Sequence, residues 1–161
     1  MLRGDERGGK CPLQQEELAE VRARMGSIDP RTLNPLQMAY VGDTIHDLYV
    51  RSLLLARGMG VGAMHKRAVR LVSAAAQARM LDALEPMLTQ EEADIARRGR
   101  NAQARHAAPR HADPADYARA TGLEALWGYL YITGQNGRLD ALMAAALEQA
   151  GAHEGAQAGE H

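Results

Sequence analysis

From Pro35 to Leu55 the apolar residues fall at helical spacing: Leu36, Ala39, Tyr40, Ile45, Leu48, Val50, Leu53, Leu54 and Leu55. Residues three and four apart share one side of a helix. Asn34 stands ahead of the run as an N-cap, Pro35 takes the first helical position, and Gly58 is placed to close the helix. The same reading continues along the chain. "PLQQEELAEVRARM" predicts a short helix ending near Gly26, and "SIDPRTL" a turn-rich connection. After the loop "GMGVG", one long helix is expected from about Ala63 to Leu84, where Pro86 prevents its continuation. Thr89 begins "TQEE", a capping box, and opens a helix ending near Gly99. Residues 101 to 112 have no clean period and read as a basic loop. Asp113 caps a helix with Pro114 behind it that runs to about Thr133. The turn "GQNGR" leads to a last amphipathic helix, "LDALMAAALEQA". No segment shows the alternation of a strand, so the expected fold class is all-α. Residues 1–12 are expected to be a disordered lead, 13–150 a single helical domain and 151–161 a disordered tail.

Composition agrees with helices. The chain is 46% apolar, rich in Ala, Leu and Met, with no Phe and one Trp. A lone cysteine, Cys11, cannot form an intramolecular disulfide, and nothing suggests an oxidising compartment. No apolar run approaches a membrane span, and "MLRGDERGGK" lacks the apolar core of a signal peptide. The expectation is a cytoplasmic protein without a membrane partner.

The net charge of −1 hides a segregated distribution. Between Asp47 and Asp82 there is no acid, while Arg51, Arg57, Lys66, Arg67, Arg70 and Arg79 lie there. Between Asp94 and Asp113 there is again no acid, while Arg97, Arg98, Arg100, Arg105 and Arg110 lie there with His106 and His111. Eleven of the 19 Lys and Arg residues thus lie in two segments that contain no acid. This pattern fits either two solvated helix faces or an anionic partner. In "ARRGRNAQAR", three arginines surround a glycine at an expected helix end. Basic residues there suit the helix dipole, but two would suffice; continued basicity through Arg105 and Arg110 favours phosphate binding. Lys66, Arg67 and Arg70 crowd the start of the helix expected from about Ala63 and carry a similar meaning.

Two helices also carry acids beside glycines. Gly42 precedes Asp43, and Glu124 lies between Gly122 and Gly128, four residues from the latter and so on its face. A mid-helix glycine costs about 0.5–1 kcal/mol relative to alanine. Close helix crossing would offset that cost and bring Asp43 and Glu124 together. Two partly buried carboxylates repel unless a proton or cation intervenes, and hard oxygens suit Mg²⁺. Magnesium beside basic segments suggests phosphodiester chemistry. The same spacing also fits acids that simply face water. Asp47 is placed to pair with Arg51 one turn on, and Trp127, Tyr129 and Tyr131 read as core or interface.

Four stretches in order, "LNPLQMAYVGDTIHDLYVRSLL", "HKRAVRLVSAAAQARML", "ARRGRNA" and "YARATGLEALWGYLYITG", resemble Mini-ribonuclease III, the short bacterial relative of ribonuclease III. The resemblance covers about residues 33 to 143. It implies an all-helical ribonuclease III-type endonuclease domain in a two-fold homodimer without a separate double-stranded RNA-binding domain. The implied reaction is Mg²⁺-dependent cleavage of double-stranded RNA, in maturation of the large-subunit ribosomal RNA precursor. Asp43 matches the catalytic aspartate of the Gly-Asp pair, and Glu124 the glutamate of the "EALWGYLY" helix; both are implied metal ligands. Lys66, Arg67, Arg70, Arg97, Arg98, Arg100, Asn101, Arg105 and Arg110 are the implied RNA contacts. Leu36, Ala39 and Thr121 stand where the wider ribonuclease III group often has carboxylates, a reduced set that the short family shares. The usual Pro-Lys-Asn after the arginine motif is Pro109, Arg110, His111 here, which keeps a charge and loses the asparagine. The competing expectation is a noncatalytic RNA-binding or ribosome-assembly protein on the same fold.

Overall fold

A computed structural model describes residues 15–158, which form seven α-helices and two short 3-10 turns. They are α1 (Gln15–Ser27), α2 (Pro35–Ala56), α3 (Val61–Leu71), α4 (Ala74–Leu84), α5 (Gln90–Ala104), α6 (Pro114–Ile132) and α7 (Asn136–Ala158). No strand occurs among the described residues. The expected lead over 1–12, with Cys11, lies outside them.

The local start signals act as their chemistry dictates. The Asn34 side chain accepts from the Leu36 amide while the Gln37 side chain accepts from the Asn34 amide, closing a capping box. Thr89 and Glu92 do the same for α5, at 2.8 and 3.2 Å. Asp113 accepts from the amides of Ala115 and Asp116, with Pro114 at the first helical position of α6. Each motif satisfies donors that a helix N-terminus otherwise leaves unpaired. Beyond α2, Gly58 takes a left-handed φ of +72°, the conformation expected of a helix terminator.

Three expectations change. The helix expected over 63–84 is two helices. Ser73 breaks it by accepting from the Ala76 amide as the N-cap of α4. The helix expected to end at Gly99 runs on to Ala104, because Gly99 is buried against α6, with an added Cβ only 2.8 Å from that of Ala125. The tail expected from residue 151 continues α7 to Ala158, where Glu154 pairs with Arg67 of α3 at 2.6 Å.

α6 is the central element. From Leu123 to Leu130 every residue except Glu124 is buried, so this stretch has no solvent stripe. It packs against α2, α5 and α4, and α7 closes over α4. Trp127, Leu126 and Leu130 fill the centre of the core with Met38, Leu54, Met80 and Leu142. Of the three aromatics read as core or interface, Trp127 and Tyr129 are therefore core, whereas Tyr131 is 45% exposed. One buried polar bridge sets α2, α3 and α6 relative to one another. The Trp127 indole N–H donates to His46 Nδ1 at 3.2 Å, and His46 Nε2 donates to the Leu71 carbonyl at 3.2 Å. Arg138 of α7 holds buried Glu92 of α5 through two bonds of 2.8 and 2.9 Å.

Candidate active site

α2 and α6 cross with almost no space between their backbones. A Cβ at Gly42 would overlap the Glu124 carbonyl oxygen, and one at Gly128 would overlap that of Met38. Glycine at both positions is thus a condition of the crossing, and its helix-propensity cost is offset by contact. Gly122 serves a different contact: an added Cβ there would stand 2.7 Å from the Ala96 carbonyl of α5.

This crossing brings Asp43 and Glu124 to one cavity of about 220 Å³, lined also by Val72, Ala74, Gln77, Tyr117, Ala120 and Thr121. The two acids differ in setting. Asp43 is exposed, where partial burial of both was expected, because it sits on the open side of α2. Glu124 is half-buried and accepts a 3.1 Å hydrogen bond from Gln77 Nε2. Burial, reinforced by the negative charge of Asp43, pushes the Glu124 carboxyl up to about 8 from an ordinary 4.5. Without a cation, the pair thus retains a proton at neutral pH. Thr121, where a further acid is common in the resembled group, donates to the Tyr117 carbonyl at 2.9 Å and is spent within its own helix.

The donor set fits a small hard cation. Two carboxylates face one cavity, and a cation there would offset both the burial and the Asp43 charge that raise the Glu124 carboxyl. No cluster of three or more His, Cys, Asp or Glu residues occurs among the described residues, so remaining positions on such an ion would fall to water. Asp47 takes no part: Arg51 Nε donates to it at 3.1 Å, the expected i,i+4 pair.

The basic residues fall into separate groups. Arg97, Arg98, Asn101 and Arg105 line an open groove of about 610 Å³ between α5 and the start of α2, with Leu33, Asn34 and His106. Arg98 commits one donor to the Leu33 carbonyl at 3.2 Å, and Arg97 leans on Asp94 at 3.4 Å. Arg100 borders a different hollow, beside Leu81, Glu85 and Leu88. On α3, Lys66 and Arg70 are exposed, whereas Arg67 is half-buried against Glu154; Arg70 also approaches that carboxylate, at 3.8 Å. Arg110 is exposed in the loop before α6. Gln77 and His46, which organise this region, carry no sequence signal beyond their positions inside regular helices.

The family described as Ribonuclease III domain matches residues 36–135. A Mini-ribonuclease 3 from Symbiobacterium thermophilum is 50% identical over 121 residues, covering 74% of this chain and 92% of that protein. Mini-ribonuclease 3 from Brevibacillus brevis is 42% identical, with 79% and 89% covered, and that from Synechocystis is 43% identical, with 71% and 78% covered. A crystal structure of a protein from Fusobacterium nucleatum shares the fold with a TM-score of 0.67 at 24% identity, covering 73% of this chain and 94% of that one.

Proposed function

Because the chain belongs to the ribonuclease III family, and within it to the Mini-ribonuclease 3 group, we propose that it hydrolyses double-stranded RNA at the cavity holding Asp43 and Glu124. The observation that carries this reading is the glycine-enforced α2–α6 crossing, which delivers two carboxylates from distant parts of the chain to one hollow. Most acids on a helical protein face water singly. These two share a site at the expense of mutual repulsion.

Asp43 and Glu124 would hold a divalent cation, Mg²⁺ by its preference for carboxylate and water oxygens. When bound, it supplies a positioned water nucleophile and neutralises charge on the phosphate. Glu124 must give up its proton to ligate, and exposed Asp43 leaves the open side of the site free for an RNA backbone. Products would be 5′-phosphate and 3′-hydroxyl ends. The groove of Arg97, Arg98, Asn101 and Arg105, with Arg100, Arg110 and the α3 residues Lys66, Arg67 and Arg70, would take phosphates along an A-form duplex.

A duplex presents two strands, and a two-fold homodimer would present two sites. α2 supports that assembly. Tyr40, Leu48 and Leu55 lie on one side of it and are 84%, 61% and 67% exposed, with Val61 of α3 at 84%. The substrate we propose is the large-subunit ribosomal RNA precursor, in the cytoplasm. The single domain we propose takes in α7, which continues past residue 150 to Ala158. No helix among the described residues is long and apolar enough to cross a membrane.

The test is duplex cleavage in Mg²⁺ by purified wild type, Asp43→Asn and Glu124→Gln, with both strands end-mapped. Wild type should make staggered cuts, and each variant should lose turnover while retaining fold and RNA affinity. Duplex binding without cuts in wild type would favour the noncatalytic RNA-binding protein. Near-normal turnover in either variant would remove that residue from the site.

A further inference from the structure

Gln77 reaches the carboxylate site from α4 and carries no charge with which to hold a cation. Its side chain is almost wholly buried, 3% exposed. Nε2 donates twice, to Glu124 Oε1 at 3.1 Å and to the Val72 carbonyl at 3.1 Å. A carbonyl can only accept, so the Val72 bond fixes which end of the amide faces Glu124. The amide oxygen is left buried with no hydrogen-bond partner. An unpaired buried acceptor is destabilising, and a leucine or methionine would occupy similar volume without that penalty. The side chain is therefore explained by its donors. One of them anchors it to the backbone at the α3–α4 junction, which Ser73 and the His46 bond to Leu71 hold in place. The other reaches 47 residues along the chain to Glu124.

We propose that Gln77 is a positioning residue for the cation site: its amide nitrogen tethers the Glu124 carboxylate to the α3–α4 junction, so that Glu124 already faces Asp43 before a divalent cation arrives. The inference rests on the reading of Asp43 and Glu124 as cation ligands and adds how one of them is aimed. Bonds of this kind, from a second residue to a metal-binding side chain, restrict its rotamers and raise affinity without touching the ion. Arrangement before binding lowers the concentration of cation needed, and has little effect on turnover once the site is full.

The experiment uses the full chain with Gln77→Met and Gln77→Leu, which keep the volume and remove both donors. Mg²⁺ binding is measured by calorimetry without RNA, duplex cleavage is followed across Mg²⁺ concentration, and melting temperature and cation-free RNA affinity are recorded. The expected result is about a ten-fold rise in half-saturating Mg²⁺, with turnover recovered at high Mg²⁺ and RNA affinity unchanged. Half-saturation within about two-fold of wild type in a folded variant would overturn the proposal. Should neither variant fold, the wild-type protein decides. The Gln77 side-chain amide signals in a nitrogen–proton spectrum should move as Mg²⁺ fills the site, and should not respond to Mg²⁺ in Glu124→Ala. Amide signals that stay still while neighbouring backbone signals saturate would overturn it. Wild-type Mg²⁺ affinity retained in Glu124→Gln would instead remove the reading of the site beneath it, an outcome separate from an unaffected Gln77 variant.

Discussion

Replacing Glu124 by glutamine should stabilise the cation-free protein at high pH. Burial and the neighbouring Asp43 charge raise the Glu124 carboxyl from 4.5 to about 8. A folded-state pKa above the unfolded value means the folded chain binds the extra proton between those limits. Its stabilising contribution is complete below about pH 4.5, declines as pH rises, and is gone above about pH 8. Each tenfold change in proton affinity is worth about 1.4 kcal/mol, so the upper bound on the loss is roughly 5 kcal/mol. Glu124 is only partly buried and Asp43 is exposed, so water relaxes the burial penalty and screens the charge, which brings the expected loss to about 2–3 kcal/mol. Glutamine keeps the shape, accepts the Gln77 bond and carries no charge. The assay is thermal unfolding with chelator present, wild type against Glu124→Gln, at about pH 5 and about pH 9. The two should melt together at the acid end, and the variant should melt higher at the alkaline end, by about 2–4 °C for each kcal/mol. Mg²⁺ at alkaline pH should raise the wild type and leave the variant unmoved. A constant difference between the proteins across this range would show that Glu124 is not held neutral by its setting, and the electrostatic account of the site would fail.

Gly42→Ala should destabilise by about 1–3 kcal/mol or more and abolish cleavage, because the added methyl overlaps the Glu124 carbonyl; unfolding in urea with a turnover assay checks both. Neutralising Arg97, Arg98 and Arg105 together should weaken duplex binding and reduce the slope of log affinity against log salt by up to about 3, whereas Arg100 alone, in another hollow, should change it by at most about 1. Burial holds the His46 imidazole below its ordinary 6.5, against the pull of Asp43 and Asp47, so stability should fall as pH drops through that value. His46→Leu should remove that fall and cost about 2–4 kcal/mol, since the Trp127 N–H and the Leu71 carbonyl lose their partner; chemical denaturation at two pH values measures it.

Local chemistry was legible in the sequence. Asn34, Thr89 and Asp113 mark helix starts because a cap acts on amides two or three residues away, so its whole mechanism lies within one short window. Gly42 and Gly128 were legible as points of close approach for a related reason: a mid-helix glycine carries a local cost that only a neighbour can offset. The i,i+4 pair of Asp47 and Arg51 likewise follows from helix geometry alone. The break at Ser73 was not legible, because apolar spacing continues across it and the break is stabilised by packing of α4 on α6. Nor was the run of α5 through Gly99, where the same residue type that ends helices is buried against α6. The different settings of the two acids, the tether from Gln77, the His46 bridge and the capture of Arg67 by Glu154 all join residues far apart in the chain. Sequence supplied the residue types able to make such contacts. Which of them met was decided by how α6 is enclosed by α2, α4 and α5, since burial and hydrogen-bond partners are properties of the packed helices together.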